Sequence, residues 1–147
     1  MLKVILMSVA LVGVSTLANA DQAENYIKYR QAVMKAIGGH MGASTLIVRG
    51  KVNPDGDLAM HAEALAKLSR QITRLFPEGS DFGETKAKES VWQDWAKFEK
   101  AADAARDATA VFAEAAASGD EARISAAHKE VGKSCKGCHE DFRQKDD

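Results

Sequence analysis

Residues 121–144 read EARISAAHKEVGKSCKGCHEDFRQ, and this stretch decides the fold class because it joins a helical apolar pattern to a cysteine–histidine motif. The residues expected to face inward recur at the spacing of a helix: Ile124, Ala127, Val131, Cys135 and Phe142. Just upstream, Gly119 is suited to end one helix and Asp120 to cap the next. The stretch therefore predicts a last helix over residues 121–144.

Three further helices are predicted upstream, and no segment has the alternating pattern of a strand. The first covers about residues 22–49, and Gly50 ends it. The second begins with Asn53 as its cap and Pro54 at its first position, and the third covers about residues 86–117. Four amphipathic helices with mostly short connections predict an all-α fold, an antiparallel up-and-down four-helix bundle.

The first 20 residues have the layout of a secretory signal peptide. Lys3 precedes an apolar run, and residues 18–20 read Ala-Asn-Ala, the small-residue pattern of a cleavage site. The apolar run is too short to span a bilayer comfortably, which disfavours a retained membrane anchor. We therefore expect residues 1–20 to be cleaved and residues 21–147 to form one domain in the periplasm.

Charge and composition exclude several classes of function. The chain of 147 residues has 20 basic and 21 acidic residues, whereas a nucleic-acid-binding protein needs a strongly basic face. No segment after the signal peptide is apolar for long enough to cross a membrane. The sequence contains no convincing nucleophile–base pair. We therefore expect neither a nucleic-acid partner, nor a membrane-bound mature protein, nor an enzyme.

The run Cys135-Lys136-Gly137-Cys138-His139 predicts the covalent attachment of one haem. Thiols at this spacing can reach the two vinyl groups on one porphyrin edge, and His139 follows Cys135 by about 40° round the helix axis, where it can bind iron. Zinc binding and dithiol chemistry are the alternatives. A structural zinc site normally needs four ligands and a thioredoxin-like pair needs a preceding strand, and the sequence provides neither.

The position of this motif near the C-terminus, on the last of four helices, resembles the class II cytochromes c, the cytochrome c-prime family. Residues 29–42, YRQAVMKAIGGHMG, are similar to the family's distal-helix pattern. Three further places look similar: the region of Lys51, residues 90–92 and the position of Arg143. The resemblance implies a single haem c attached to Cys135 and Cys138, with iron bound by His139.

Carried over residue by residue, the resemblance also implies the surroundings of the haem. Arg30 lies near a propionate, and Gln31 lies beside the haem. Arg143 flanks the proximal histidine, although a solvated arginine is an equal alternative. Residues 80–81 resemble a loop at the haem edge. Because a haem needs large apolar walls, Trp92 is expected to pack on the porphyrin.

Met34 occupies the position of the family's distal residue, and two alternatives follow. In low-spin members a methionine there binds iron as a sixth ligand, and the protein carries electrons to periplasmic redox partners. In high-spin members the distal residue covers an open iron position, and nitric oxide or carbon monoxide binds. We favour iron ligation by Met34 and one-electron transfer, and the five-coordinate gas-binding protein is the alternative.

Other candidate ligands are expected to have no part in iron binding. Met41 is expected in the core, and three histidines are expected at the surface or its boundary: His40, His61 and His128. The resemblance further implies a homodimer formed through the first two helices.

Overall fold

The computed structural model describes the backbone of residues 14–145 and the side chains of residues 21–145. It contains five α-helices: α1 Val14–Val48, α2 Asp57–Ser69, α3 Ser90–Gln93, α4 Trp95–Ser118 and α5 Glu121–Phe142. A short 3-10 helix, Thr73–Leu75, follows α2. The described residues form no strand, and their only sheet-like pairing is an isolated antiparallel bridge between Ala87 and Arg143. The predicted all-α class is confirmed.

The four long helices pack in an antiparallel ring. Helix α1 packs along α2, α2 along α4, and α4 along α5, whereas α1 and α5, the remaining neighbours in the ring, touch less than any of these pairs. We call the line between α1 and α5 the seam. This arrangement confirms the predicted up-and-down four-helix bundle.

The buried side chains form two clusters along the bundle. The site cluster contains three of the four buried phenylalanines described and consists of Val33, Ile72, Leu75, Phe76, Val91, Phe98, Ala102, Ala105 and Phe142. The far cluster consists of Ala62, Leu65, Phe112, Ala115, Ile124, Ala127 and Val131. Phe98 centres the site cluster, with ring centroids 4.7 Å from Phe76 and 5.3 Å from Phe142. Ile37 of α1 packs against both clusters, so the core is continuous.

The start of α2 differs from the prediction. The helix begins at Asp57, so neither Asn53 nor Pro54 occupies the expected capping position. Gly56 precedes it with a φ of 76°, a left-handed conformation that glycine adopts without steric cost. Because this conformation is incompatible with a helix, α2 cannot extend back to Pro54.

The predicted helix over residues 86–117 is two helices, α3 and α4. Asp94 separates them with φ −128° and ψ 61°, and its carboxylate accepts a hydrogen bond of 3.2 Å from the Lys97 amide. Aspartate is a favoured N-cap because its side chain satisfies an amide that the helix leaves unpaired. The break places Trp92 on a short helix of its own. The predicted boundary before α5 is confirmed: Gly119 has φ 70°, and Asp120 caps α5.

The predicted signal peptide lies largely outside the described residues. Helix α1 runs without interruption through the predicted cleavage position after Ala20. Cleavage therefore stays a prediction. Between residues 14 and 145, no helix is long and apolar enough to cross a membrane.

Candidate functional site

The cysteine–histidine motif lies on the last two turns of α5. Cys135 and Cys138 are unbridged and partly buried, Cys135 against the far cluster and Cys138 against the site cluster. Burial raises the pKa of both thiols, and for Cys138 the neighbouring Cys135 and Asp141 help to raise it to about 11. His139 is exposed at the protein surface. Partial desolvation and the charge of Arg143 lower its pKa, which keeps the imidazole neutral, the form that binds metals.

Two contacts across the seam fix the register of α1 against α5. Thr45 lies 3.0 Å from His128, oxygen to Nε2, and the Cε atom of Met41 lies 3.9 Å from where a Cβ would stand at Gly132. From the first contact to the second, α1 moves back by four residues (Thr45 to Met41) while α5 moves forward by four (His128 to Gly132), as in two antiparallel helices. Because both helices rise equally per residue, seven more residues in each helix bring Met34 level with His139.

Met34 lies on the α1 side of the seam, partly buried, and packs against the site cluster. Cys138 and Trp92 pack against the same cluster. The structure therefore brings the predicted distal residue, one predicted attachment residue and the predicted aromatic wall to one part of the core.

Arg30 is a buried cation without a carboxylate partner among the described residues. Its side chain is 3% exposed. The guanidinium donates four hydrogen bonds, all to neutral acceptors: Leu75 O (3.3 Å), Ser80 Oγ (3.0 Å), Ser80 O (2.9 Å) and Thr85 Oγ1 (2.8 Å). It also lies over the rings of Phe76 and Trp92, 4.6 and 5.6 Å from their centroids.

Burial lowers the pKa of Arg30 to about 10. A buried charge without a counter-ion is costly, and Arg30 therefore suits an anionic group bound beside it. A carboxylate on the edge of a bound group would meet this requirement. The predicted place of Arg30 near a propionate is consistent with this environment.

Residues 84–90, which we call the linking segment, connect α1 to the end of α5. On the α1 side, Gln31 donates to Glu84 O (2.6 Å) and Arg30 donates to Thr85. On the α5 side, three further bonds follow: Lys88 N to Phe142 O (2.9 Å), Lys88 Nζ to Glu140 O (2.8 Å) and Ser90 Oγ to Asp141 O (3.2 Å). The segment therefore ties α1 to the residues that directly follow His139.

The linking segment is not predicted by the sequence. Thr85 accepts from Arg30 and from the Ala87 amide, yet it stands in an irregular stretch without a recognisable motif. Ser80 accepts a hydrogen bond from Arg30, whereas Asp81 is exposed, and the resemblance of residues 80–81 to a loop at the haem edge stays a prediction. Arg143 forms the bridge to Ala87, and its charge lowers the pKa of His139.

A surface cavity among the described residues lies apart from the motif. It has a volume of about 450 Å³ and is lined by Thr73, Arg74, Phe76, Pro77, Glu78, Trp95 and Glu99. None of the predicted attachment or ligand residues lines it. This surface cavity is therefore not the candidate site.

The residues along the site end of the seam fit a covalently attached haem. Two thiols and an imidazole occupy α5, and a thioether side chain lies level with the imidazole on α1. Aromatic side chains of the site cluster supply apolar walls, and Arg30 supplies a buried positive charge. This combination of soft and nitrogen donors with an apolar wall suits haem iron.

Comparisons with known proteins agree with this fit. Residues 25–143 match the family described as Cytochrome C'. A cytochrome c' from Pararhodospirillum photometricum is 39% identical over 122 residues, which cover 82% of this chain and 98% of the relative. A cytochrome c-556 from Agrobacterium tumefaciens (strain II Chrys) is 32% identical over 81% of this chain and 97% of its own.

Solved structures give the same result. Cytochrome c' from Rubrivivax gelatinosus superimposes with a TM-score of 0.76 at 36% identity, over 81% of this chain and 94% of its own. A nitric oxide complex of a mutant of cytochrome c prime from Alcaligenes xylosoxidans superimposes with a TM-score of 0.78 at 32% identity, over 84% and 97%. This chain belongs to the cytochrome c' family of class II cytochromes c, and its cofactor is one covalently bound haem c.

Proposed function

We propose that this protein is a five-coordinate, high-spin cytochrome c' that binds nitric oxide or carbon monoxide. Cys135 and Cys138 attach the haem, His139 is the proximal ligand, and Met34 covers the distal side without binding iron. The observation that carries the proposal is the likeness to relatives solved as nitric oxide complexes, which match 84% of this chain at 31–32% identity. The sequence favours iron ligation by Met34, but the comparisons do not confirm this and fit the alternative better.

The burial of Met34 supports its role as a cover. Its side chain packs against the site cluster, and its level along the seam is that of His139. An apolar side chain held in this way excludes water from the distal side and limits the size of any ligand that enters. The haem supplies an iron that takes up a small gas or an electron.

The polar residues of the site hold the haem in place under this proposal. Arg30 pairs with a propionate, which supplies the anion that its buried guanidinium lacks. Gln31 stays beside the haem edge through its bond to Glu84. Trp92 donates from Nε1 to Pro77 O (3.2 Å), which orients its ring as part of the wall, and Arg143 keeps positive charge near the proximal histidine.

The cellular setting belongs to the same proposal. The layout of residues 1–20 supports export to the periplasm with cleavage after Ala20. The mass of the purified mature protein tests this cleavage.

Exposed apolar side chains on α1 and α2, among them Tyr29, Leu46 and Met60, support a homodimer through these helices. Sedimentation equilibrium tests the dimer.

One-electron transfer through a His139–Met34 iron is the second candidate function. The level of Met34 opposite His139 favours it, because a thioether on that side is placed to act as a sixth ligand. Relatives named cytochrome c-556 match 81% of this chain. Under this reading the protein exchanges electrons with periplasmic redox partners.

The visible spectrum of the ferrous protein with and without carbon monoxide separates the two functions. We expect a five-coordinate high-spin spectrum and ready binding of carbon monoxide. Met34→Ala should bind carbon monoxide severalfold more tightly because the cover is removed, and Met34→Leu should resemble the parent. Met41→Leu is the matched control, since Met41 packs against the far cluster. A low-spin ferrous spectrum that excludes carbon monoxide, and that becomes high-spin in Met34→Ala, would overturn the gas-binding proposal.

A further inference from the structure

His139 stands on the last turn of α5, where the backbone carbonyls approach the end of the helix. The His139 carbonyl still accepts a hydrogen bond of 3.0 Å from the Arg143 amide. Because the helix ends at Phe142, the carbonyls of residues 140–142 need partners from outside it. A helix end without such partners frays, and the backbone of its last turn then opens more often.

The linking segment supplies a donor to each of these three carbonyls. The bonds are Lys88 Nζ to Glu140 O (2.8 Å), Ser90 Oγ to Asp141 O (3.2 Å) and Lys88 N to Phe142 O (2.9 Å). Lys88 and Ser90 are both partly buried, and they precede the residues they bond by about 50 positions. The end of α5 is therefore capped by a distant part of the chain.

The charge of Lys88 strengthens this cap. A cation beside the last carbonyls of a helix is favoured by the helix dipole. Lys97 of α4 brings a second ammonium group to the same turn, where it pairs with the carboxylate of Asp141 at 3.0 Å. The two lysines thus have the same charge but different partners: Lys88 bonds the backbone of the turn, and Lys97 bonds a side chain.

The backbone of this turn determines where the imidazole of His139 lies. The residue is exposed, so the protein packs little against its ring. Partners outside the ligand set commonly fix the orientation of a metal-binding histidine. We propose that Lys88 and Ser90 are positioning residues for His139, because their three bonds hold the turn from which its imidazole meets iron. This inference rests on the proposed role of His139 as the proximal ligand.

Two variants and one matched control test the inference in the holoprotein. Lys88→Met and Ser90→Ala each remove one donor of the cap, and the two remaining bonds keep the linking segment in place. Lys97→Met removes the same charge from the same turn but leaves all three carbonyls bonded. Lys88→Arg and Ser90→Thr retain a donor at each position and should behave like the parent protein.

Amide hydrogen exchange tests the cap itself. We expect the amides of residues 140–143 to exchange severalfold faster in Lys88→Met and in Ser90→Ala than in the parent, because a frayed turn opens more often. Lys97→Met should exchange at the rate of the parent. Unchanged exchange in both donor variants would overturn the inference.

Paramagnetic resonance of the ferric holoprotein tests the effect on His139. The g values of a ferric haem depend on the orientation of its axial imidazole in both spin states, so this readout does not require an open distal position. We expect shifted g values or broader signals in each donor variant, and an unchanged spectrum in Lys97→Met. Faster exchange with g values and linewidths equal to those of the parent would overturn the positioning role.

The parent protein separates this inference from the proposed function. A low-spin parent spectrum would overturn the five-coordinate function, whereas the positioning role would still be decided by the difference between the donor variants and Lys97→Met. A high-spin parent whose donor variants and control have identical spectra would overturn the positioning role alone.

Discussion

The two ends of the seam between α1 and α5 are closed in different ways. At the far end the helices touch directly, through Thr45 and His128 and through Met41 beside Gly132. At the site end, the described hydrogen bonds that join α1 to α5 run through the linking segment instead. Direct contact leaves no room for a flat group between two helices, whereas an intervening segment holds them in register and apart. The difference explains why one bundle can be both well packed and able to hold a haem.

The polar groups at the two ends of the seam also differ, in their charge and in their hydrogen-bond partners. Arg30 at the site end is a buried cation whose protein partners are all neutral. His128 at the far end is an uncharged partner in a closed network. The single hydroxyl hydrogen of Thr45 goes to Met41 O (2.8 Å), so Nε2 of His128 donates to Thr45. The hydrogen bonds of Thr45 and His128 are thus satisfied within the protein, whereas Arg30 at the site end lacks an anion.

Removal of the Arg30 guanidinium should have the largest effect on the stability of the holoprotein. Arg30→Leu leaves buried acceptors of Leu75, Ser80 and Thr85 unsatisfied, and a lost buried partner costs about 1–3 kcal/mol. We expect the free energy of unfolding in guanidinium chloride to fall by about 3 kcal/mol. Arg106→Leu is the matched control, because Arg106 is an exposed arginine of α4 whose ion pairs lie at the surface.

The control variant should change the free energy of unfolding by about 0.5 kcal/mol or less, as is usual for exposed ion pairs. Equal losses in the two variants would mean that the bonds of Arg30 contribute no more than a surface contact. The buried polar contacts at the site end would then stabilise the protein no more than an exposed ion pair does.

The second prediction concerns the far end and its dependence on pH. Burial and the charge of Arg49 lower the pKa of His128 below 6.5, so the folded protein holds this ring neutral. The stability that His128 contributes is therefore fully present above pH 6.5 and is lost as the pH falls through the lower folded-state pKa. We expect His128→Gln to cost about 1 kcal/mol at pH 7.5 and progressively less towards pH 5.

Thermal unfolding of parent and variant at several pH values between 5 and 8 measures this difference. Carboxylates elsewhere titrate in both proteins, so only the gap between the two curves reports on His128. A gap that stays constant over this range, or widens at low pH, would contradict a neutral His128 in the folded state.

Local sequence patterns could predict the helices and the motif, but they could not predict what separates the two ends of the seam. Helix α5 follows from its apolar spacing and from Gly119 and Asp120, which act within a few residues. The linking segment follows from contacts between residues about 50 positions apart, such as Arg30 with Thr85. The periodicity of apolar residues along the sequence carries no information about a contact between residues so far apart.

Two local signals were also overridden by other local features of the chain. Asn53 and Pro54 form a strong helix start, yet α2 begins at Asp57 after the left-handed Gly56. Asp94 sits within an apolar helical pattern, yet its capping bond divides α3 from α4. The sequence could place Met34 opposite His139 only by resemblance, whereas the register across the seam supplies a physical reason.

A third prediction weakens the linking segment without removing a charge. Thr85→Val keeps the shape of the side chain but removes the oxygen that accepts from Arg30 (2.8 Å) and from the Ala87 amide (3.1 Å). We expect a loss of about 1 kcal/mol in the free energy of unfolding, because Arg30 keeps its other acceptors. Thr85→Ser retains the oxygen and should lose less than half as much. An equal loss in both would assign the effect to packing of the methyl group instead of the hydrogen bond.

The smallest expected effect has the opposite sign and tests how closely the far end is packed. At Gly132 a Cβ would meet the Cε atom of Met41 at 3.9 Å, which is ordinary van der Waals contact. Gly132→Ala should therefore raise the free energy of unfolding by about 0.5–1 kcal/mol through helix propensity. Gly42→Ala is the control on α1, where nothing described lies within 4 Å of the added atom. If Gly132→Ala destabilises the protein while Gly42→Ala stabilises it, then α1 and α5 lie closer together at the far end than the distance of 3.9 Å indicates.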